Sequence, residues 1–139
     1  MNKLKFFQVF VFLFFMACTN HNRKADLVCS YISNLTDRVL EKDQIYILVS
    51  DYGCSSCKEE VLRKAQEETN GMIYIIMDIK NEYLLKQRFE KQIESGLIFM
   101  DSTGLNKKIE LIFPFPMVLW FSEGNWEIIE YSKISDQPR

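Results

Sequence analysis

Two uninterrupted apolar runs constrain this chain more than anything else in it. They are residues 45–49 (Ile-Tyr-Ile-Leu-Val) and 72–77 (Met-Ile-Tyr-Ile-Ile-Met). A strand with one wet face alternates apolar and polar residues, whereas a run with no polar position reads as a strand buried on both faces. Between the two runs, residues 57–69 place Val61, Leu62 and Ala65 on one side of a predicted helix, and Asn70-Gly71 is a good helix stop. Strands joined by a helix run parallel, with a right-handed crossover. The chain is therefore expected to build an α/β layout around a buried sheet.

The remaining elements extend that plan. Residues 26–40 carry Val28, Ile32, Leu35 and Val39 at helical spacing, with Asp26 as the N-cap. Residues 82–94 read as one further crossover helix through Leu85, Phe89 and Ile93, closed by Ser95-Gly96. Residues 97–100 read as a short strand and 101–104 as a turn, while 105–113 fit either a short helix or an extended stretch. Phe113-Pro114-Phe115-Pro116 excludes a helix interior. Residues 117–121 and 126–131, around Glu123-Gly124-Asn125, read as an antiparallel hairpin. The sheet is thus expected to be mixed and flanked by helices.

The first residues stand apart from this plan. Lys3 and Lys5 precede residues 6–16, an aromatic and aliphatic run broken only by Gln8. A spanning helix needs about 20 apolar residues. The shorter run has the length and flanks of a signal peptide. Ala17-Cys18 closes it and resembles the lipobox of bacterial lipoproteins, although Phe15 replaces the usual leucine. That resemblance implies a signal peptide over 1–17, cleavage before Cys18 and a diacylglycerol on its thiol. An ordinary secretory signal and an uncleaved anchor are the alternatives, and all three export the domain. Polar residues 19–25 then form a tether, so 18–25 is a lipidated tether and 26–139 the folded domain. The expected location is the cell envelope, with the chain held on a membrane by its lipid.

Roughly 120 residues after the leader suffice for one domain with a real core. The chain has seventeen Lys and Arg against nineteen Asp and Glu. The leader removes Lys3 and Lys5 but no acid, so the mature balance is mildly acidic. Nucleic acid is excluded as a partner, since it requires a basic footprint.

The chemistry sits in Cys54-Ser55-Ser56-Cys57, which follows the first buried run and opens a helix. Unpaired N–H groups and a partial positive charge at a helix start stabilise a thiolate. Such a cysteine has its pKa lowered into a range of roughly 3.5–7.5. Cys54 is the expected nucleophile toward a disulfide, Cys57 one turn later the resolving thiol, and Lys58 an added local positive charge. Three other readings compete: zinc, a structural disulfide, and two unpaired buried thiols, the last disfavoured in an oxidising compartment. Zinc would need about four ligands, and only Cys29 and His21 in the tether remain to supply them. A purely structural disulfide across so short a loop would stabilise little through chain entropy. No metal and no cofactor are expected.

The residues 45–131 resemble a thioredoxin-like domain, nearest the membrane-tethered TlpA and peroxiredoxin-related branch. The resemblance rests on the first apolar run, on Gly53-Cys54-Ser55-Ser56-Cys57-Lys58, and on Phe115-Pro116 before the strand at 117–121. It implies a thioredoxin-like fold, catalytic Cys54 and Cys57, and a cis Phe115–Pro116 bond facing them. Phe115 and Pro116 would then bind substrate. It also implies thiol–disulfide exchange with exported proteins, with a membrane thiol reductase as a further partner. Three departures stand out. Gly53 replaces the aromatic residue before the first cysteine, and Leu48 replaces a buried acid that assists proton transfer. The last helix is missing or reduced to 132–139, which leaves one sheet face thinly covered or leaves residues 26–40 to cover it. A binding or redox-sensing module without turnover is the alternative function. A copper-handling relative, which would want a late histidine, ranks last. Cys29 is expected as a small buried hydrophobe or a regulatory thiol, and Asp78 as a loop cap at the carboxyl edge of the sheet.

Overall fold

A computed structural model describes residues 23–67 and 71–136. Cys18, His21 and the proposed leader lie outside the described residues. The order is α1 (Arg23–Thr36), β1 (Tyr46–Ser50), α2 (Ser55–Glu67), β2 (Ile73–Met77), α3 (Glu82–Arg88), α4 (Glu90–Glu94), β3 (Ile98–Met100), α5 (Leu105–Lys108), β4 (Met117–Ser122) and β5 (Asn125–Glu130). A 3-10 helix, Tyr131–Asp136, follows.

The five strands form one mixed sheet in the order β3-β2-β1-β4-β5. β1 runs parallel to β2, and β2 to β3. β4 is antiparallel to both β1 and β5. Every residue of β1 is buried, as the absence of a polar position in the first run predicts. Its alternating side chains feed two cores. Tyr46 and Leu48 join Ile75, Met77, Leu111, Phe113 and Leu119 under α1, which contributes Val28, Tyr31 and Ile32. On the other face, Ile47 and Val49 join Ile76, Ile98 and Val118 under α2, which contributes Val61, Leu62 and Ala65, with Leu85 and Phe89 beside them. Each fully buried aliphatic or aromatic side chain contributes about 1.5–3 kcal/mol, so β1 alone ties both helical layers to the sheet.

Four sequence expectations need correction. Helix α1 begins at Arg23, so Asp26 stands inside its first turn and is not the N-cap. Helix α1 stops at Thr36, so Val39 is 87 % exposed instead of packed. Asp37 takes φ 53, which ends the helix, and the Ser33 hydroxyl caps the turn by donating to the Arg38 carbonyl. The single helix expected over 82–94 is two short ones, broken at Phe89, whose φ of −117 leaves the helical range. Phe89 is completely buried, and the bend seats its ring in the core. The cis bond at Phe115–Pro116 is absent, because every described peptide bond is trans. Trans is the cheaper isomer by roughly 0.5–1 kcal/mol. With it the chain delivers the Pro114 carbonyl to the Cys54 N–H at 3.1 Å and the Pro116 carbonyl to the Tyr131 N–H at 2.8 Å.

Two features follow the sequence closely. The hairpin turns through Glu123 and Gly124, both at positive φ, the pair of angles a two-residue type I′ turn requires. The stretch left open at 105–113 resolves into the one-turn α5 followed by extended chain.

Candidate functional site

β1 ends at Ser50, and the chain crosses Asp51, Tyr52 and Gly53 before α2 opens. This loop lies tight against the proline segment. A Cβ on Gly53 would stand 3.1 Å from the carbonyl oxygens of both Pro114 and Ser50. An aromatic side chain has no room there, and Tyr52 takes the exposed place one residue earlier, at 65 % exposure.

Cys54 occupies the N-cap position of α2, with its own carbonyl accepting from the Lys58 N–H at 2.9 Å. An N-cap side chain faces the free N–H groups of the first turn, so its sulfur sits where a serine or aspartate oxygen would accept. The thiol is lowered from the ordinary 9.0 to about 7. The largest cause is the Ser56 hydroxyl, whose oxygen lies 3.5 Å from Sγ. The Cys57 N–H and the Cys57 thiol follow, and burial opposes them weakly. Cys57 moves the other way. Its proton is held toward Cys54, which raises its pKa first, with burial and the charge of Cys54 adding to the effect. Both cysteines are free thiols and half-buried. One is primed as a thiolate and its neighbour keeps a proton in reserve.

Ser56 was not singled out by sequence reasoning. Its signal is nevertheless present: a hydroxyl two residues past a cysteine at a helix start is placed to donate back to the sulfur. Lys58 plays a different part from the one expected. Its ammonium donates to the Asp51 carbonyl at 2.9 Å and pairs with the Asp51 carboxylate at 3.2 Å, and both side chains are only 12–13 % exposed. Asp51 also accepts from the Lys80 N–H. Lys58 is therefore committed to holding the loop and does not figure among the causes of the lowered Cys54 thiol.

Beneath the loop runs a buried polar network. Asp78 accepts from the Ser50 hydroxyl at 2.8 Å and from the Asn106 side-chain amide at 2.9 Å. Asp101 accepts from the Asn106 and Leu105 N–H groups and from the Tyr31 hydroxyl. Burial works against the Asp101 charge, but these donors outweigh it and hold the carboxyl below the usual 3.8. Tyr31 is pushed well above 10.0, by burial first and then by the Asp101 charge. Asp78 is thus a structural anchor for the carboxyl ends of β1 and β2, the loop-cap role read from the sequence. Among the described residues, no cluster of three or more His, Cys, Asp or Glu side chains is arranged to hold a metal ion.

A cavity of about 670 Å³ opens beside Cys57. Ile47, Val118 and Trp120 of the sheet form its floor, and Phe115 and Pro116 line it with Cys57. It lies over β4 and β5, between Glu60 and Lys64 of α2 and the 3-10 helix after β5. The thin cover expected on one sheet face is this opening. The fold thus brings Cys57, Phe115 and Pro116 to one place. Phe115 is 43 % exposed, and its N–H and C=O make no hydrogen bond among the described residues. Cys29 is remote in character. It is half-buried against the α1 core, and its thiol is pushed up to about 11, by burial first and then by Asp26.

The lowered thiol has a direct test. Iodoacetamide should label Cys54 with a rate that rises through a midpoint near pH 7, ahead of Cys57 and Cys29. Ser56→Ala should move that midpoint upward. A midpoint unchanged in Ser56→Ala would remove the hydroxyl from the account.

Comparison of the sequence with protein-family models, with characterised proteins and with solved structures finds no match to this chain. Among the described residues, no helix is long and apolar enough to cross a membrane.

Proposed function

We propose that the chain is a thiol–disulfide oxidoreductase of thioredoxin-like fold that acts on exported proteins through Cys54 and Cys57. The observation that carries this reading is the asymmetry of the pair: Cys54 lowered to about 7 at the start of α2, and Cys57 raised one turn behind it. A structural bridge has no use for that difference. A nucleophile works best when its pKa lies near ambient pH, and the other thiol must stay protonated until the mixed disulfide forms.

The exchange runs in two displacements. The Cys54 thiolate bonds to one sulfur of a substrate disulfide, and the other sulfur leaves with the bonding electron pair. Cys57 then gives up its proton, which passes to the departing thiolate, and attacks Cys54. The mixed disulfide breaks and the second substrate thiol is released. The substrate gains two electrons and the Cys54–Cys57 pair loses them. A dithiol, such as that of a membrane thiol reductase, resets the pair. The same steps run backward when the pair starts oxidised. Phe115 and Pro116, beside Cys57, are the proposed substrate-binding residues. The trans bond removes the cis bend from that proposal. What supports it now is the exposed Phe115 ring and its free backbone groups, which suit an added extended segment.

The strand order and the helix after β1 support the thioredoxin-like reading of the fold. The redox-sensing module remains a second reading because of one residue. Leu48 is fully buried where the resemblance places a proton-relaying acid, which favours slow turnover. Two measurements separate them. The reduced protein should precipitate insulin in the presence of a dithiol, and the pair should show one two-electron potential in the envelope range. Failure to reduce insulin, with a potential that cellular dithiols do reach, would leave only the redox-sensing module. We also propose an envelope location through a lipid on Cys18. Palmitate labelling that marks Cys18→Ala as strongly as the natural chain would end that part.

A further inference from the structure

We infer that the surface beside Cys54 receives the acidic flank of a polypeptide disulfide. The inference rests on Cys54 and Cys57 being an exchange pair and names the substrates they would prefer. Tyr52 is the starting point. It is 65 % exposed and stands two residues before Cys54, a separation of at most about 7 Å along the chain. Over its ring lie two ammonium groups from separate parts of the chain. Lys80, after β2, is 4.5 Å from the ring centroid, and Lys107, on α5, is 5.8 Å from it.

The acids around this surface are withdrawn or paired. Asp51 is held by Lys58, and Asp78 lies beneath, 10 % exposed, 3.7 Å from the Lys107 ammonium. Glu82 pairs with Lys86, Glu59 with Arg88 and Glu60 with Lys64. Lys80 is exposed, and the Lys107 side chain is 63 % exposed. Asp78 offsets part of the Lys107 charge, while Lys80 is in no ion pair among the described residues, so on a chain with a net charge of −2 the rim at Tyr52 still presents outward positive charge.

That placement matters for the reaction. A thiolate repels an anionic disulfide, and so does each thiolate that leaves. Two ammonium groups over the ring of Tyr52, two residues before the nucleophile, oppose that repulsion for a substrate chain that crosses the ring. Carboxylates one or two residues from the substrate cysteine reach them, and the exposed Tyr52 ring offers an apolar surface to the chain between. Charge complementarity of this kind acts on encounter rate and on partner choice.

The test uses the reduced full-length protein and three disulfide-linked peptides, identical except for Glu, Ser or Lys on both sides of the cysteine. At low salt the Glu peptide should react about tenfold faster than the Ser peptide, and the Lys peptide more slowly than either. At about 1 M salt, where the Debye length is ~3 Å, the three rates should converge. Replacing both lysines, Lys80→Glu with Lys107→Glu, should invert the order. The readout is a ratio between peptides, so any common change in Cys54 reactivity cancels. Equal rates at low salt, or an order unchanged in the double variant, would overturn the inference. Should that variant fail to fold, the peptide ratios and their salt dependence in the natural chain decide alone. No reaction with any peptide would overturn the exchange reading itself, and this inference with it.

Discussion

Cys57→Ser should accumulate mixed disulfides with other exported proteins in its native host, and Cys54→Ser should accumulate none. Cys54 alone has a thiol lowered to about 7, so it forms the first covalent bond. Serine at position 57 cannot displace sulfur from sulfur, and the intermediate then has no internal exit. Ser56 and the N–H of residue 57 remain in the variant, so Cys54 keeps its main source of activation. Among the described residues, Cys54→Ser leaves only Cys57, raised in the natural chain, and Cys29, pushed up to about 11. Neither holds the N-cap position of α2 that Cys54 occupies, so neither is expected to form the first bond. A non-reducing gel should show a ladder of adducts in the first variant and a single band in the second. Adducts from Cys54→Ser would exchange the assigned roles. An absence of adducts from both would favour the redox-sensing module.

The largest effect on stability should come from Asp101→Ala. The carboxylate accepts from the Asn106 N–H at 2.8 Å, the Leu105 N–H at 2.9 Å, the Tyr31 hydroxyl at 3.0 Å and the Thr103 hydroxyl at 3.2 Å. Asn106 is 0 % exposed and Tyr31 1 %. Truncation leaves those donors without an acceptor, at about 1–3 kcal/mol for each buried one. A total loss of about 3–5 kcal/mol is expected, the upper end of single-substitution effects. Tyr31→Phe keeps the carboxylate and its other donors, and should cost about 1 kcal/mol. Urea unfolding reads both. A loss under about 1 kcal/mol for Asp101→Ala would mean the network is not what fixes the loop.

The sign of the pH dependence follows from the same carboxyl. Its folded value lies below the ordinary 3.8. The stability it contributes is therefore present above that ordinary value and is lost as pH falls through the lower folded one. Asp101→Ala should lack that part of the acid transition.

Particular residues show how far local information reached. The apolar run at 45–49 has no polar position, and β1 is buried along its length. Periodicity also placed α2, and Glu123-Gly124 placed the hairpin turn. It failed at residues 82–94, because the pattern of Leu85, Phe89 and Ile93 is helical whether or not the helix is continuous. The need to seat Phe89 in the core breaks it. It failed again at Val39, which has the right spacing but lies past a residue in the left-handed region.

The site divides in the same way. Sequence alone determined that a cysteine pair opens a helix after a buried strand, because spacing and hydrophobicity are local properties. It also placed a proline segment ahead of the strand at 117–121. Only the tertiary structure decided that Pro114, sixty residues from Cys54, supplies the carbonyl that holds its N–H, and that the bond after Phe115 is trans. It decided likewise that Lys58 is spent on Asp51 while Lys80 and Lys107 gather over Tyr52. Charge and hydrogen-bond partners act through space over a few ångströms. Which groups come that close is set by the packing of the sheet and its helices, and no window of sequence contains it.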